Sequence, residues 1–492
     1  MTTAFNTRSG ALWIQPGGPN SPVYFLGCHD LDDIAAPITG GKTPIRKFNP
    51  NGQGWLVVGK NEAPPDNITT TITALLFSQK DWIEKLNCPF TLFVLMRECG
   101  MANVFTNYKR GWALQNASPV TLTLSNLVAR GQDEEAESTA ALEINADFPL
   151  VWIDPLEIDR LTTTEAQSAN GIWANRDGRC YGDCGDTQDP GDLLAVAPDA
   201  AGGASANIQF STNAGVTIAA GATDPFGVGL NAMAVTSFMI GASTRRYLVA
   251  KEGTGGAVQG SVAYSDNAGT TWTEVNIGGA AQGHGAKTGR GLWALDSRHI
   301  WLAGEGGYIY FSEDGGQTWT AVEAGALTAT DYACVHFVDE NYGMAGAPAG
   351  IVVLSSDGGV TWELATAPSA GDVLCCYRQD VNRMWVGTDD GEIYYSRDGG
   401  ATWTERTGWT GSGVGTVRDI EFYNELIGFM LYNTAAPLGS VLRTIDGGYT
   451  WDVLTTPTNS GLNDIVVANA DTVYAVGEAN GGTAVILKVT TA

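Results

Sequence analysis

Histidine is scarce in this chain of 492 residues, which holds only four. His29 falls in a predicted loop, His284 between glycines, and His299 and His336 within predicted strands. None is set against a serine or cysteine by a nucleophile motif, so a Ser-His-Asp type of chemistry has little to work with. Charge is sparse too, at 16% of residues, and it is one-sided. Against 27 Lys and Arg stand 53 Asp and Glu, a formal balance of −26. Such a surface repels nucleic acid. No stretch reaches the roughly 18 apolar residues that a membrane-spanning helix requires. Residues 1–15 lack a basic start followed by an apolar run, so no secretory signal is expected.

The eight cysteines make no disulfide framework by spacing. Cys28, Cys88, Cys99, Cys334, Cys375 and Cys376 sit in apolar or strand-like contexts, where buried free thiols are the expectation. Cys180 and Cys184 differ, lying in a polar, glycine-rich stretch that leaves open a local disulfide or half of a metal site. No second pair and no histidine stands nearby. The neighbouring Asp177, Asp183, Asp186, Asp189 and Asp192 lack the spacing of a calcium loop. A solvated joint between domains is the preferred reading, and no metal or cofactor is expected.

Glycine is what the chain has in quantity, at 63 residues, as a fold of many tight turns requires. One turn recurs five times. Its members are Ser265, Asn267, Gly269 and Trp272; Ser312, Asp314, Gly316 and Trp319; Ser355, Asp357, Gly359 and Trp362; Ser396, Asp398, Gly400 and Trp403; and Thr444, Asp446, Gly448 and Trp451. The tryptophans are 47, 43, 41 and 48 residues apart, close to the length of one four-stranded propeller blade. The aspartate is expected to fold back onto turn N–H groups. The glycine supplies a positive φ, and the tryptophan buries apolar surface in its own blade. These roles are structural, and no catalytic residue is expected among them.

The motif S-x-D-x-G-x-T-W resembles the Asp-box of sialidases and related propellers. A degraded copy at Ser211, Asn213 and Ile218, and three box-less strands at 464–468, 472–476 and 484–489, extend the array. Seven blades are favoured, or six if the chain ends share one. The expected fold class is mainly β. A domain at 1–160 and a junction at 161–192 precede a propeller at 193–492.

Residues 1–160 carry no box. Strands are expected at 12–15, 23–26, 54–58, 68–73, 90–97, 111–114, 120–128 and 140–146. One helix is expected at 79–86, with Ser78 as N-cap and Trp82, Ile83 and Leu86 as its apolar face. That order resembles the tail tube proteins of tailed bacteriophages, a pair of sheets with one flanking helix. The resemblance implies a virion structural protein of the viral tail, made in the host cytoplasm, whose rings stack, hexamer on hexamer, into a tube. Its partners would be itself and other tail proteins, with DNA passing through the lumen unbound. The propeller would project outward as decoration or to bind surface glycans, with 239–260 and 433–440 as contact elements.

Two other readings compete. Asp-box propellers include sialidases and glycoside hydrolases, which need an arginine triad or two facing carboxylates. Arginines are present at Arg245, Arg246, Arg290, Arg298, Arg378, Arg383, Arg418 and Arg443, but the Arg-Ile-Pro signature is missing. Asp331, Glu340 and Asp419 are candidate carboxylates that no spacing pairs. The remaining reading is a non-catalytic scaffold. Residues 304–319 look similar to the photosystem II stability/assembly factor propellers, which bind partners.

Overall fold

The computed structural model describes residues 5–16, 21–29, 68–73, 90–98, 105, 108–125, 139–146 and 151–153, and most of 154–491. From that last span 164–165, 177–188, 200–204, 228–229, 242–243, 252–260, 278–290, 305, 324–329, 408, 410–414, 435–437 and 455 are excluded. Two compact units emerge, one built on Met1–Pro155 and the other on Leu156–Thr444 and Trp451–Thr491.

In the first unit lie β1 (Phe5–Pro16), β2 (Tyr24–His29), β3 (Ile68–Thr73), β4 (Phe90–Glu98), β5 (Tyr108–Ser125), β6 (Thr139–Ala146) and β7 (Val151–Ile153). They form one antiparallel sheet in the order β4-β1-β2-β3-β6-β5-β7, and β4 also pairs with β5. The sheet therefore closes on itself. This corrects the expected pair of sheets with a flanking helix. The 18-residue β5 spans what the sequence suggested were two strands, pairing β4 with its first part and β6 with its second. No α-helix occurs among the described residues, and the expected helix at 79–86 and strand at 54–58 lie outside them. Leu12, Ile14, Leu92, Phe93 and Leu95 are buried, with Trp13, Phe93 and Phe105 packed edge to face. At Gly111 a Cβ would fall 2.1 Å from the Val94 carbonyl oxygen, so β5 approaches β4 too closely there for a side chain.

The second unit holds seven four-stranded antiparallel sheets. Their innermost strands are Ala169–Ala174 in blade I, Ala232–Ile240 in II, Leu292–Asp296 in III and Cys334–Phe337 in IV. Val373–Arg378, Gly415–Phe422 and Leu462–Asn469 follow in V, VI and VII. Each packs against the next, and the last returns to the first, which closes the ring. The seventh sheet is completed by β8 (Leu156–Arg160), which pairs along Thr483–Thr491 as its outer strand. The early and late parts of the unit's chain thus share one blade. The stretch 161–192 contributes Ala169–Ala174 to blade I.

Inner strands are buried on both faces, which is why they read as apolar runs. The outermost strands are exposed and carry Glu274, Glu323, Glu363, Glu405, Glu157 and Asp159. Charge on an unpaired edge discourages edge-to-edge association. Of the expected contact stretches, 239–260 is largely the hairpin of blade II as far as Lys251, and 252–260 lies outside the described residues.

Candidate functional site

Each box is a closed knot of hydrogen bonds between the third and fourth strands of a blade. In blade III the Ser312 hydroxyl donates to Asp314 at 3.0 Å and accepts the Gly316 N–H at 2.9 Å. Asp314 accepts the Thr318 N–H at 2.8 Å and its hydroxyl at 2.6 Å. Ser355, Asp357, Gly359 and Thr361 repeat the pattern, as do Ser396, Asp398, Gly400 and Thr402. In the last box Asp446 holds Thr450 in the same way, with Gly448 at φ +82°. Asn267 and Asn213 substitute an amide. Its oxygen takes the threonine N–H, while its NH2 donates to the hydroxyl of Thr271 or Thr217. At Gly316, φ is +83° and a Cβ would lie 2.9 Å from Leu248, so this position combines a left-handed backbone with a close approach.

The motif's threonine, one residue before the tryptophan in all five copies, has a role that the sequence did not reveal. It holds the box carboxylate ionised. At Asp398 the Thr402 hydroxyl is the largest influence and lowers the pKa. At Asp314 and Asp357 burial pulls upward, but bonds from Thr318 and Thr361 outweigh it and the net shift is downward.

The tryptophans pack at the seam between their own blade and the preceding one, so the expectation that each serves its own blade holds only in part. Trp362 meets Phe337 of its own blade IV edge to face, in a cluster that also takes in Trp301, Phe311 and Val322 of blade III. Trp451 meets Trp385 of blade V and Phe422 of its own blade VI, both edge to face. Trp403 joins Val352 and Leu354 of blade IV and donates to the Thr366 carbonyl at 2.8 Å. Trp319 and Trp272 sit likewise at the II–III and I–II seams, where the Trp319 indole donates to the Gly316 carbonyl of its own box and the Trp272 indole to the Thr223 carbonyl. Box and tryptophan together bind blade to blade.

A second turn, between the first and second strands, escaped the sequence reading. Asp296, Asp339, Asp380, Asn424 and Asn469 each accept a backbone N–H two residues on; Asp339, Asp380 and Asn424 accept a second, three residues on. These are Asx turns. Their spacings of 43, 41, 44 and 45 residues were available as a signal. They also brace the boxes: the N–H groups of Gly315, Gly358 and Gly399 donate to the carbonyls of Ser297, Asn341 and Asn382.

Along the axis the problem is different. An innermost strand has one edge without a sheet partner, and its N–H and C=O groups are buried. Side chains of the neighbouring blade supply the partners. Trp293 of blade III donates to the Phe337 carbonyl of blade IV at 3.0 Å. His336 Nδ1 accepts the Arg378 N–H of blade V at 3.1 Å, which places the ring proton on Nε2. Tyr377 donates to the Phe422 carbonyl of blade VI at 2.9 Å, and Glu421 accepts the Val467 N–H of blade VII at 2.8 Å. Nearby, Asp419 accepts the Ile465 N–H at 3.0 Å and Asp464 the Ile172 N–H at 2.8 Å. Trp293, His336, Tyr377 and Phe422 form a continuous aromatic arc, with ring centroids 4.3, 4.4 and 5.6 Å apart.

Arg176 follows the inner strand of blade I. Its guanidinium lies 5.2 Å from the Trp293 ring centroid and forms an ion pair with Glu421. Those partners belong to blades III and VI, on opposite sides of the ring. The guanidinium therefore stands across the axis. Glu421 is fully buried, while the Arg176 side chain is 22% exposed.

The candidate carboxylates do not converge. Asp419 is in the belt, Asp331 accepts the Gly306 N–H at 3.0 Å at one end of the blades, and Glu340 is exposed in a first turn at the other. Nor do the described arginines Arg245, Arg246, Arg378 and Arg383 form a triad. Arg246 pairs with Asp266, Arg378 donates to the Gly343 and Ser355 carbonyls, and Arg383 bridges Asp380 and Glu425. Arg245 lies over the Trp173 ring. Cys334, Cys375 and Cys376 are buried free thiols. Among the described residues no group of His, Cys, Asp or Glu is arranged to hold a metal. Cys180, Cys184, Asp177, Asp183, Asp186, Arg290 and His284 lie outside them.

Comparison with known proteins agrees with this geometry. The sequence pattern of a family described as photosynthesis system II assembly factor YCF48 matches residues 291–417. No curated protein matches the chain by sequence. Among solved structures, YCF48 bound to D1 peptide is similar at TM-score 0.51 and 13% identity, over 69% of this chain and 98% of that one. YCF48 from Cyanidioschyzon merolae is similar at TM-score 0.50 and 14% identity, over 68% and 98%. These likenesses are to propellers of assembly factors. They overturn the reading as a phage tail tube subunit, and with it the virion, the stacked hexameric rings and the lumen for DNA. The fold shared here is an Asp-box β-propeller similar to YCF48.

Proposed function

We propose that the propeller is a non-catalytic scaffold that holds an extended segment of a partner protein. The observation that carries this reading is the engagement of the axial acids. Glycosidases place two carboxyl groups across a bond with room for acid and nucleophile. Here Asp419, Asp464 and Glu421 each accept a buried backbone N–H of the next blade. Their lone pairs hold the ring together. The similar YCF48 structure has a D1 peptide bound, which favours a polypeptide as the occupant over a glycan. A peptide array probed with the purified chain, run beside a panel of chromogenic glycosides, tests the reading. Peptide binding without glycoside turnover is the expected result. Steady turnover of any glycoside, with no peptide retained, would replace it with the hydrolase reading.

A further inference from the structure

Arg176 is a cation delivered to the axis by a segment that is not part of any strand. The group it meets is chemically specific. An indole face on one side and a carboxylate on the other match the two faces a planar guanidinium presents, its π surface and its N–H fork. A compact ammonium would use only the charge. The place is reachable from solvent, since Arg176 keeps about a fifth of its side chain exposed and Trp293 is only half-buried. A chain with a balance of −26 also draws basic partners toward it.

We infer that Trp293 and Glu421 form a guanidinium site on the propeller axis, that Arg176 is its internal occupant, and that an arginine of a basic partner peptide competes for it. This rests on the peptide-scaffold reading above and names the residue the partner must bring. Arg176 then acts as a brake. An internal occupant that holds the site about nine-tenths of the time would lower the apparent affinity of a competitor about tenfold.

The test uses the full chain and its Arg176→Ala, Arg176→Lys and Arg176→Ala/Glu421→Gln variants. Ethylguanidinium at millimolar concentration is the first probe, with ethylurea as the uncharged control. Melting of Arg176→Ala should rise saturably with ethylguanidinium and stay flat with ethylurea, and the double variant should respond to neither. An equal response to both compounds, or none, overturns the site. If Arg176→Ala does not fold, Arg176→Lys carries the same comparison, because it keeps the charge and loses the stacking plane. The second probe is a set of arginine-containing peptides and their citrulline counterparts. Arg176→Ala should bind the arginine peptides about tenfold more tightly than wild type does, with no gain for citrulline. Peptides held equally by both proteins would leave the scaffold reading standing and remove the internal occupant. Ethylguanidinium rescue without any peptide binding would do the reverse, supporting the site and sinking the scaffold reading.

Discussion

Each blade meets its neighbour in two places, at the box end and along the axis, and the two contacts are built on different terms. At the box end the same residue types recur: a serine hydroxyl, an aspartate or asparagine, a threonine and a tryptophan at the seam with the preceding blade. Along the axis the geometric task is equally repetitive, since every inner strand must satisfy buried backbone groups on its open edge. Yet the residue types change from blade to blade, through Trp293, His336, Tyr377 and Glu421. The repeated contact is a generic clamp. The varied one combines ring closure with a surface whose chemistry differs at each position, and that is where recognition can be written.

The largest expected effect lies in the clamp. Trp362 is almost wholly buried between blades III and IV, so Trp362→Ala should cost about 3–5 kcal/mol, as other large aromatic truncations do. The midpoint of urea unfolding measures it. A loss below about 1 kcal/mol would mean that the blades are held mainly along the axis and would reverse the comparison.

Next comes the belt. Glu421→Ala leaves the Val467 N–H and the Arg176 guanidinium without their carboxylate, a loss of about 3 kcal/mol for a broken buried pair. Glu421→Gln keeps an acceptor oxygen and should recover a large part of that. Equal destabilisation by the two would show that charge, and not the N–H acceptor, is what the belt requires at this blade.

These two positions also show what could be read from the sequence. The clamp was legible because its residues are local: serine, aspartate, glycine and tryptophan fall within eight positions and recur at a blade's length. Its direction was not, because nothing in one box says which neighbouring sheet the indole enters. The Asx turns at Asp339 and Asp380 recur at the same period, but their motif is shorter and less distinctive. The belt was out of reach. Glu421 and Arg176 are 245 positions apart, and the reason for an acid at 421 is a backbone N–H at 467. The closed sheet of the first unit was missed for a related reason. Strand order and the β4–β5 pairing are long-range facts that alternation along each strand does not encode.

A smaller effect separates two parts of the clamp. Ser355 accepts the N–H groups of Gly359 and Asp357 and donates to the Asp357 carboxylate. Ser355→Ala strands a buried N–H and should cost about 1–2 kcal/mol. That is less than the tryptophan next to it. A cost equal to that of Trp362→Ala would make the turn, and not the packing, the main inter-blade contact.

The smallest effect sets boxes against boxes. Asp314, Asp357 and Asp398 are held below the ordinary aspartate range, chiefly through the Thr318, Thr361 and Thr402 hydroxyls and N–H groups, which at the first two overcome the upward pull of burial. A carboxyl with a lowered folded pKa binds its proton more readily in the unfolded chain. Its contribution is therefore complete above the unfolded value near about 4. It fades as the pH falls from there through the lowered folded values. Asn213 and Asn267 cannot titrate, and their amides already make both threonine contacts by turning the hydroxyl from donor to acceptor. Replacing the three aspartates by asparagine should thus leave the melting temperature at pH 7 slightly lower or unchanged. Below about pH 4 the decline should be shallower than in the wild type. Melting curves of the two proteins between pH 7 and pH 2.5 read the difference directly. Parallel acid limbs would mean that acid opens the ring elsewhere than at the boxes.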